Sequence, residues 1–197
     1  MQNFRGSEFG KMTSNFNERK EWGPFADIVF PIDTTQIRNF DRWICWNGFR
    51  EGHKGYDFAA YLNTKKVIVL GLPGGFPVRA VADGRVIQAV PEPFGVAYGG
   101  FINIEHGGEN SGMFSSYHHI IPSVKNTSTR KGEIIGYLYQ NKADKIVQGR
   151  IVHLHFELTD SWEVRNTGDN VDPAKIFPEI SRIIARPQGD PKFEVEF

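Results

Sequence analysis

Histidines are the residues of this chain whose type and spacing point most directly to chemistry. The sequence has six, and five of them fall into three short segments that hold other polar residues, HKGYD, YHHI and HLH. Imidazole titrates near neutral pH and is a common metal ligand, so histidines gathered at one place indicate catalysis or metal binding. The sixth, His106, ends an apolar run before a Gly-Gly turn, and we interpret it as structural.

The first segment places His53 four residues before Asp57. Imidazole nitrogens and carboxylate oxygens both bind zinc, at about 2.0–2.2 Å. In a straight strand, residues four apart are separated by roughly 13 Å, so the segment must bend if both side chains are to reach one ion. Gly55 lies between them and permits the bend. Taken alone, however, this spacing favours a surface histidine and an aspartate in a turn.

The segment RIVHLHFEL is predicted to be a strand, and it places His153 and His155 on one face, about 7 Å apart along the backbone. Two imidazoles on an apolar strand need partners, because burial of an unpaired polar group is costly. Both could bind a metal, or one could bind it while the other acts on a substrate. The alternative is a pair of exposed histidines on a half-solvated strand.

The middle segment is Tyr117-His118-His119-Ile120. In a regular strand Tyr117 and His119 share one face and His118 takes the other. Taken alone, the segment favours a half-buried histidine with an ordinary hydrogen-bond partner.

Short β-branched and aromatic runs separated by glycine, proline and asparagine surround these segments, as in VRAVADGRVIQAV and FINIEHGG. This texture predicts an all-β fold, and Asp83-Gly84 is a strong hairpin signal. One short C-terminal helix is predicted in PAKIFPEISRIIA, with Asp172 as its cap and Pro178 as an interruption. We expect three parts: a polar N-terminal arm or tag remnant over residues 1–27, one domain over 28–180, and an extension over 181–197.

The composition of the chain narrows the range of expected functions and locations. Lys plus Arg balances Asp plus Glu at 23 each, without a long basic run, so we expect no nucleic-acid partner. The single cysteine, Cys45, excludes an internal disulfide, and we interpret it as a small core residue. No run reaches the ~18 apolar residues of a membrane span, and the N-terminus has no apolar stretch typical of a signal peptide.

Together, the three histidine segments resemble the lysostaphin-like zinc metallopeptidases, a family of peptidoglycan endopeptidases. The family pattern of HxxxD, then YxH, then HxH is present here in that order as HKGYD, YHHI and HLHFE. The similarity extends over roughly Pro31 to Phe177, and includes FPVRAVADGRV, AYGGFINIEHG, KGEIIGY and VDPAKIF. The resemblance implies a mostly antiparallel β-sheet or sandwich with an active-site groove walled by loops.

The resemblance also implies roles. His53, Asp57 and His155 match the ligands of one zinc ion that keeps an open position for water, and His119 and His153 match two catalytic histidines. Three protein ligands and an open position are typical of catalytic zinc. Either histidine could act as the base, while the other stabilises the tetrahedral intermediate. Tyr117 is a weaker candidate for a substrate contact.

The expected activity is hydrolysis of peptide bonds in peptidoglycan cross-links or stem peptides, at an extracytoplasmic location. The main alternative is a catalytically silent zinc-binding module for recognition or signalling, although such modules normally lose a catalytic histidine. A non-haem iron oxygenase is a second alternative, but its usual HxD spacing is absent from the sequence.

Overall fold

The computed structural model describes residues 27–45, 48–49, 52–91, 99–140, 151–160, 170–177, 184–185 and 193–195. The expected N-terminal arm therefore lies outside the described residues, apart from residue 27. Segments 92–98, 141–150 and 161–169 lie outside them as well, so the expected loop walls of a groove are not tested there. Among the helices of the described residues, none is long and apolar enough to cross a membrane.

The described residues form strands and single 3-10 turns, which confirms the all-β prediction. The strands are β1 Phe40–Cys45, β2 Tyr56–Phe58, β3 Ala60–Asn63, β4 Ile68–Leu70, β5 Pro77–Arg79, β6 Gly84–Val90, β7 Gly100–His106, β8 Phe114–Pro122, β9 Ser128–Thr129, β10 Ile134–Leu138, β11 Leu154–Thr159, β12 Asn170–Val171, β13 Ile184–Ala185 and β14 Phe193–Val195. The 3-10 turns are Thr34–Gln36, Gly108–Asn110 and Pro173–Lys175.

The predicted C-terminal helix is reduced to the 3-10 turn Pro173–Lys175 in the described residues. Strand β13 lies within the run that was predicted to be helical, and Ile184 pairs with Ile44 of β1. β-Branched residues such as isoleucine favour strands, and here pairing with an existing strand overrides the helical pattern.

Two sheets are present. The larger follows the order β12-β11-β8-β7-β6-β9, with β2 paired to β11, and with β10 paired to both β8 and β5. The smaller follows β13-β1-β3-β4-β14. Its two outer pairs, β1 with β13 and β4 with β14, are parallel, whereas the other strand pairs are antiparallel.

The core lies against one face of the larger sheet. Leu154, Phe156 and Leu158 of β11 are at most 1% exposed, while His155 and Glu157 between them point to the other face. Phe156 contacts the rings of Tyr117 and Phe177, with centroids 5.2 and 5.8 Å away. Alternation along β11 thus separates an apolar core face from a polar face that carries histidines.

Candidate active site

Three adjacent strands place polar side chains on one face of the larger sheet. In the centre, His155 of β11 is directly opposite Asp57 of β2 on one side and His118 of β8 on the other. Side chains of directly opposed residues in antiparallel strands project to the same face. Asp57, His155 and His118 are therefore neighbours because of strand register, although 98 residues separate Asp57 from His155.

His53, Asp57 and His155 form a compact group whose candidate ligand atoms all lie within 4.8 Å of one another. Asp57 Oδ1 is 2.7 Å from His155 Nδ1 and 3.2 Å from His53 Nε2. Two imidazoles and one carboxylate around a partly buried space form the donor set of a three-ligand zinc site. The residues present therefore fit a zinc ion.

The far nitrogens of both histidines are held by oxygen acceptors. His53 Nδ1 lies 2.9 Å from the carbonyl oxygen of Gly48, and His155 Nε2 lies 2.8 Å from Glu157 Oε1. Donation at these atoms directs His53 Nε2 and His155 Nδ1 toward Asp57. Metal-binding histidines usually have such a partner, which fixes both the tautomer and the orientation of the ring.

The same contacts shift two pKa values. Burial disfavours the charged form of His155, but hydrogen bonds to Asp57 and Glu157 outweigh it and raise its pKa to about 9. Burial also disfavours ionised Glu157, yet the hydrogen bond from His155 and the proximity of His118 outweigh it and lower its pKa to about 2. Without metal, His155 and Glu157 therefore form an ion pair at neutral pH.

His153 lies beside this group. Its Nδ1 is 2.7 Å from the carbonyl oxygen of Ile151, and its Nε2 is 3.8 Å from Asp57 Oδ1. Burial lowers the pKa of His153 despite the opposing charge of Asp57, so the neutral ring is favoured. A neutral ring that donates from Nδ1 keeps a proton-accepting Nε2 on the side of the three candidate ligands.

His119 packs against His153, with their ring centroids 4.5 Å apart, and its own centroid is 6.2 Å from that of His155. A bulge explains this position. The register between β7 and β8 pairs Gly100 with Ile120 but Phe101 with His118, so His119 is the extra residue. Its φ is +63°, a left-handed conformation uncommon for residues other than glycine. The carbonyl of His119 accepts from Tyr139 N at 2.8 Å.

The bulge also corrects a prediction. Regular alternation placed His118 on the opposite face from His119, but both rings lie near His155, with His118 at 5.3 Å between centroids. His118 Nε2 is 2.8 Å from Ser116 Oγ, and its ring stacks on Phe101. Bulges interrupt strict alternation in this way and are common beside active sites.

Tyr117, which was expected to contact the substrate, does not lie with these residues. The side chain is fully buried in the core, where its hydroxyl accepts from Val81 N at 2.9 Å and from Ser115 Oγ at 3.0 Å. Burial raises its pKa above the ordinary value. His106 joins the same network through Ser115 at 2.8 Å, which agrees with its interpretation as structural.

Two neighbours of the group were missed from the sequence, His118 and Glu157. Glu157 follows His155 by two residues on a predicted strand, so period-two alternation would have found it. His118 could be found only with knowledge that Tyr117 faces the core, because alternation then places His118 on the polar face opposite His155.

Comparison with known proteins identifies the family of the chain. The sequence profile of peptidase family M23 matches residues 51–173, which is more than half of the chain and contains all three histidine segments. The chain belongs to peptidase family M23. The family is one of peptidases, and M23 peptidases are zinc-dependent. A comparison with curated proteins finds no match.

Similar solved structures include two of lysostaphin and one of another peptidase. Lysostaphin, an antimicrobial peptidase from Staphylococcus simulans, is 20% identical with a TM-score of 0.47, over 70% of this chain and 48% of its own. Its separate catalytic domain is 19% identical with a TM-score of 0.46, over 73% and 96%. A zinc-containing peptidase from Vibrio cholerae is 22% identical with a TM-score of 0.39, over 66% and 35%. The chain thus spans about half of full-length lysostaphin.

Proposed function

We propose that this M23 peptidase is a zinc metalloendopeptidase that hydrolyses peptide bonds in peptidoglycan cross-links or stem peptides. His53, Asp57 and His155 would hold one zinc ion. The chemistry that zinc would supply there is polarisation of the scissile carbonyl and acidification of water. The observation that carries the proposal is the presence of two further histidines, His119 and His153, at the edge of the candidate metal group.

His153 is proposed as the general base. Its Nδ1 donates to the Ile151 carbonyl, which leaves Nε2 as the proton acceptor on the side of Asp57. Burial lowers its pKa and favours the neutral ring, which is the form that can accept a proton from water.

His119 is proposed as the donor that stabilises the oxyanion or protonates the leaving amine. Its ring packs against that of His153, and its carbonyl, at the bulge, accepts from Tyr139 N. A donor held in place before the reaction costs no reorganisation when charge develops in the transition state. The two roles could be exchanged, and separate variants at His119 and His153 would reveal this through their pH profiles.

The proposal is tested by incubation of the zinc-loaded protein with peptidoglycans of several cross-link types, followed by mass spectrometry of the released fragments. We expect new amine termini that disappear with a chelator and fall by a factor of about 10²–10⁴ in His119→Ala. The adjacent variant His118→Ala is the matched comparison, and should retain more activity than His119→Ala.

Stoichiometric zinc without cleavage of any cross-link would contradict the proposed activity and favour a zinc-binding module for recognition or signalling. Cleavage of another peptide alone would retain the peptidase and replace the substrate. A peptidoglycan substrate would also require an extracytoplasmic location.

A further inference from the structure

Glu157 contacts the candidate metal group at the ring nitrogen of His155 that points away from Asp57. Its Oε1 lies 2.8 Å from His155 Nε2, on the opposite side of the ring from the Nδ1 atom that faces Asp57. The neighbouring His118 Nε2 is 4.0 Å from the same oxygen and instead contacts Ser116 Oγ at 2.8 Å. Oε1 therefore lies within hydrogen-bond distance of His155 but not of His118.

The second oxygen of Glu157 connects the ring to another part of the site. Asn170 of β12 donates from Nδ2 to Glu157 Oε2 at 3.2 Å and to the carbonyl oxygen of Lys54 at 3.2 Å. Lys54 directly follows His53 in the chain. One amide group thus ties the segment that carries His53 to the carboxylate that orients His155.

Close packing keeps this connection in place. A Cβ atom at Gly55 would lie 2.5 Å from the carbonyl oxygen of Phe156, and 2.9 Å from both Glu157 Cγ and His155 Cε1. The segment between His53 and Asp57 therefore packs closely against the ring of His155 and the side chain of Glu157.

We propose that Glu157, supported by Asn170, is a positioning residue that holds His155 Nδ1 toward Asp57 and thereby sets the affinity of the site for zinc. The inference rests on the proposed function only in its assignment of His53, Asp57 and His155 as ligands. An acceptor at Nε2 keeps that proton in place, so Nδ1 remains the ligand atom, and it makes the ring a better donor to a metal.

The test measures zinc affinity by competition with a chromophoric chelator, and coordination by the absorption spectrum of the Co²⁺-substituted protein. Glu157→Met removes the acceptor at similar length and should weaken zinc binding by about 10–100-fold. Glu157→Gln retains one acceptor oxygen and should lose less. Asn170→Ala should also lose less, because the contact to His155 remains. The cobalt spectrum should change most in Glu157→Met.

Glu105→Gln is the matched control, because Glu105 lies on β7 and pairs with Arg85 at 2.6 Å. It should bind zinc like the unsubstituted protein. Circular dichroism of the metal-free variants establishes that each is folded. If Glu157→Met does not fold, the zinc affinities of the other variants decide the question. They should be lower in Glu157→Gln and Asn170→Ala than in the control.

Equal zinc affinity and equal cobalt spectra in the folded variants would overturn the role of Glu157. In that case, cleavage of peptide by the unsubstituted protein would leave the proposed function intact. Failure of the unsubstituted protein to bind zinc at all would overturn the ligand assignment and this inference together.

Discussion

Replacement of Tyr117 by phenylalanine tests whether this residue supports the core or contacts a substrate. The change removes one hydroxyl that accepts from Val81 N and Ser115 Oγ, and it leaves the ring in place. A buried donor left without its partner costs about 1–3 kcal/mol, and each lost hydrogen bond about 0.5–1.5 kcal/mol. We therefore expect Tyr117→Phe to lower the free energy of unfolding by about 2 kcal/mol, equivalent to roughly 4–8 °C in Tm.

The measurement is urea unfolding of the metal-free protein, with Tyr137→Phe as the control. Tyr137 is 38% exposed, so loss of its hydroxyl should change stability little. Zinc affinity and KM of folded Tyr117→Phe should equal those of the unsubstituted protein, because the hydroxyl faces the core rather than the polar face. Unchanged stability together with a raised KM would refute the structural role and restore Tyr117 as a substrate contact.

Three further predictions concern packing and pH. Gly55→Ala should destabilise the fold and weaken zinc binding. Gly107→Ala should do neither, because a Cβ atom there meets nothing within 4 Å. Equal zinc affinities of the two variants, measured by competition with a chelator, would contradict this prediction. Burial lowers the pKa of His106, so below about pH 6.5 the unfolded chain binds more protons than the folded protein. The stability advantage of the unsubstituted protein over His106→Gln should therefore shrink as the pH falls from 7.5 to 5.5, by up to about 1.4 kcal/mol per pH unit. A constant difference between the two in urea titrations would refute this prediction. Phe156→Ala, at a fully buried position, should cost about 3–5 kcal/mol in the same titrations, and a loss below 1 kcal/mol would contradict the packing described.

Local patterns predicted the strands well because each pattern is short and its cause is local. The alternation in HLHFEL gives β11 its two distinct faces. The hairpin expected at Asp83-Gly84 is wrong, because β5 pairs with β10 whereas β6 pairs with β7 and β9. The C-terminal helix could not be predicted correctly, because its outcome depends on pairing between β13 and β1, whose partners are 140 residues apart in the chain. Non-local pairing of this kind leaves no trace in local periodicity.

The candidate site could likewise be predicted only in part from the sequence. The positions of His53, Asp57 and His155 follow from segment types and the resemblance, and the structure brings the three together. The approach of both His118 and His119 does not follow, because the β7–β8 bulge is a property of two strands in register. The burial of Tyr117 does not follow either, because regular alternation places it on the same face as His119.

Alternation along β11 links the stability of the core to the geometry of the site. Phe156 lies between His155 and Glu157, and its ring is held by Tyr117 on β8 and by Phe177. Its packing fixes the pleat that directs both neighbours to the other face, where they hydrogen-bond to each other. A cavity at Phe156 should therefore reduce zinc affinity as well as stability. A cavity at Ile104 of β7, which is equally buried but carries no site residue beside it, should reduce stability alone. Equal zinc affinities for Phe156→Ala and Ile104→Ala would show that the polar face is positioned independently of the core.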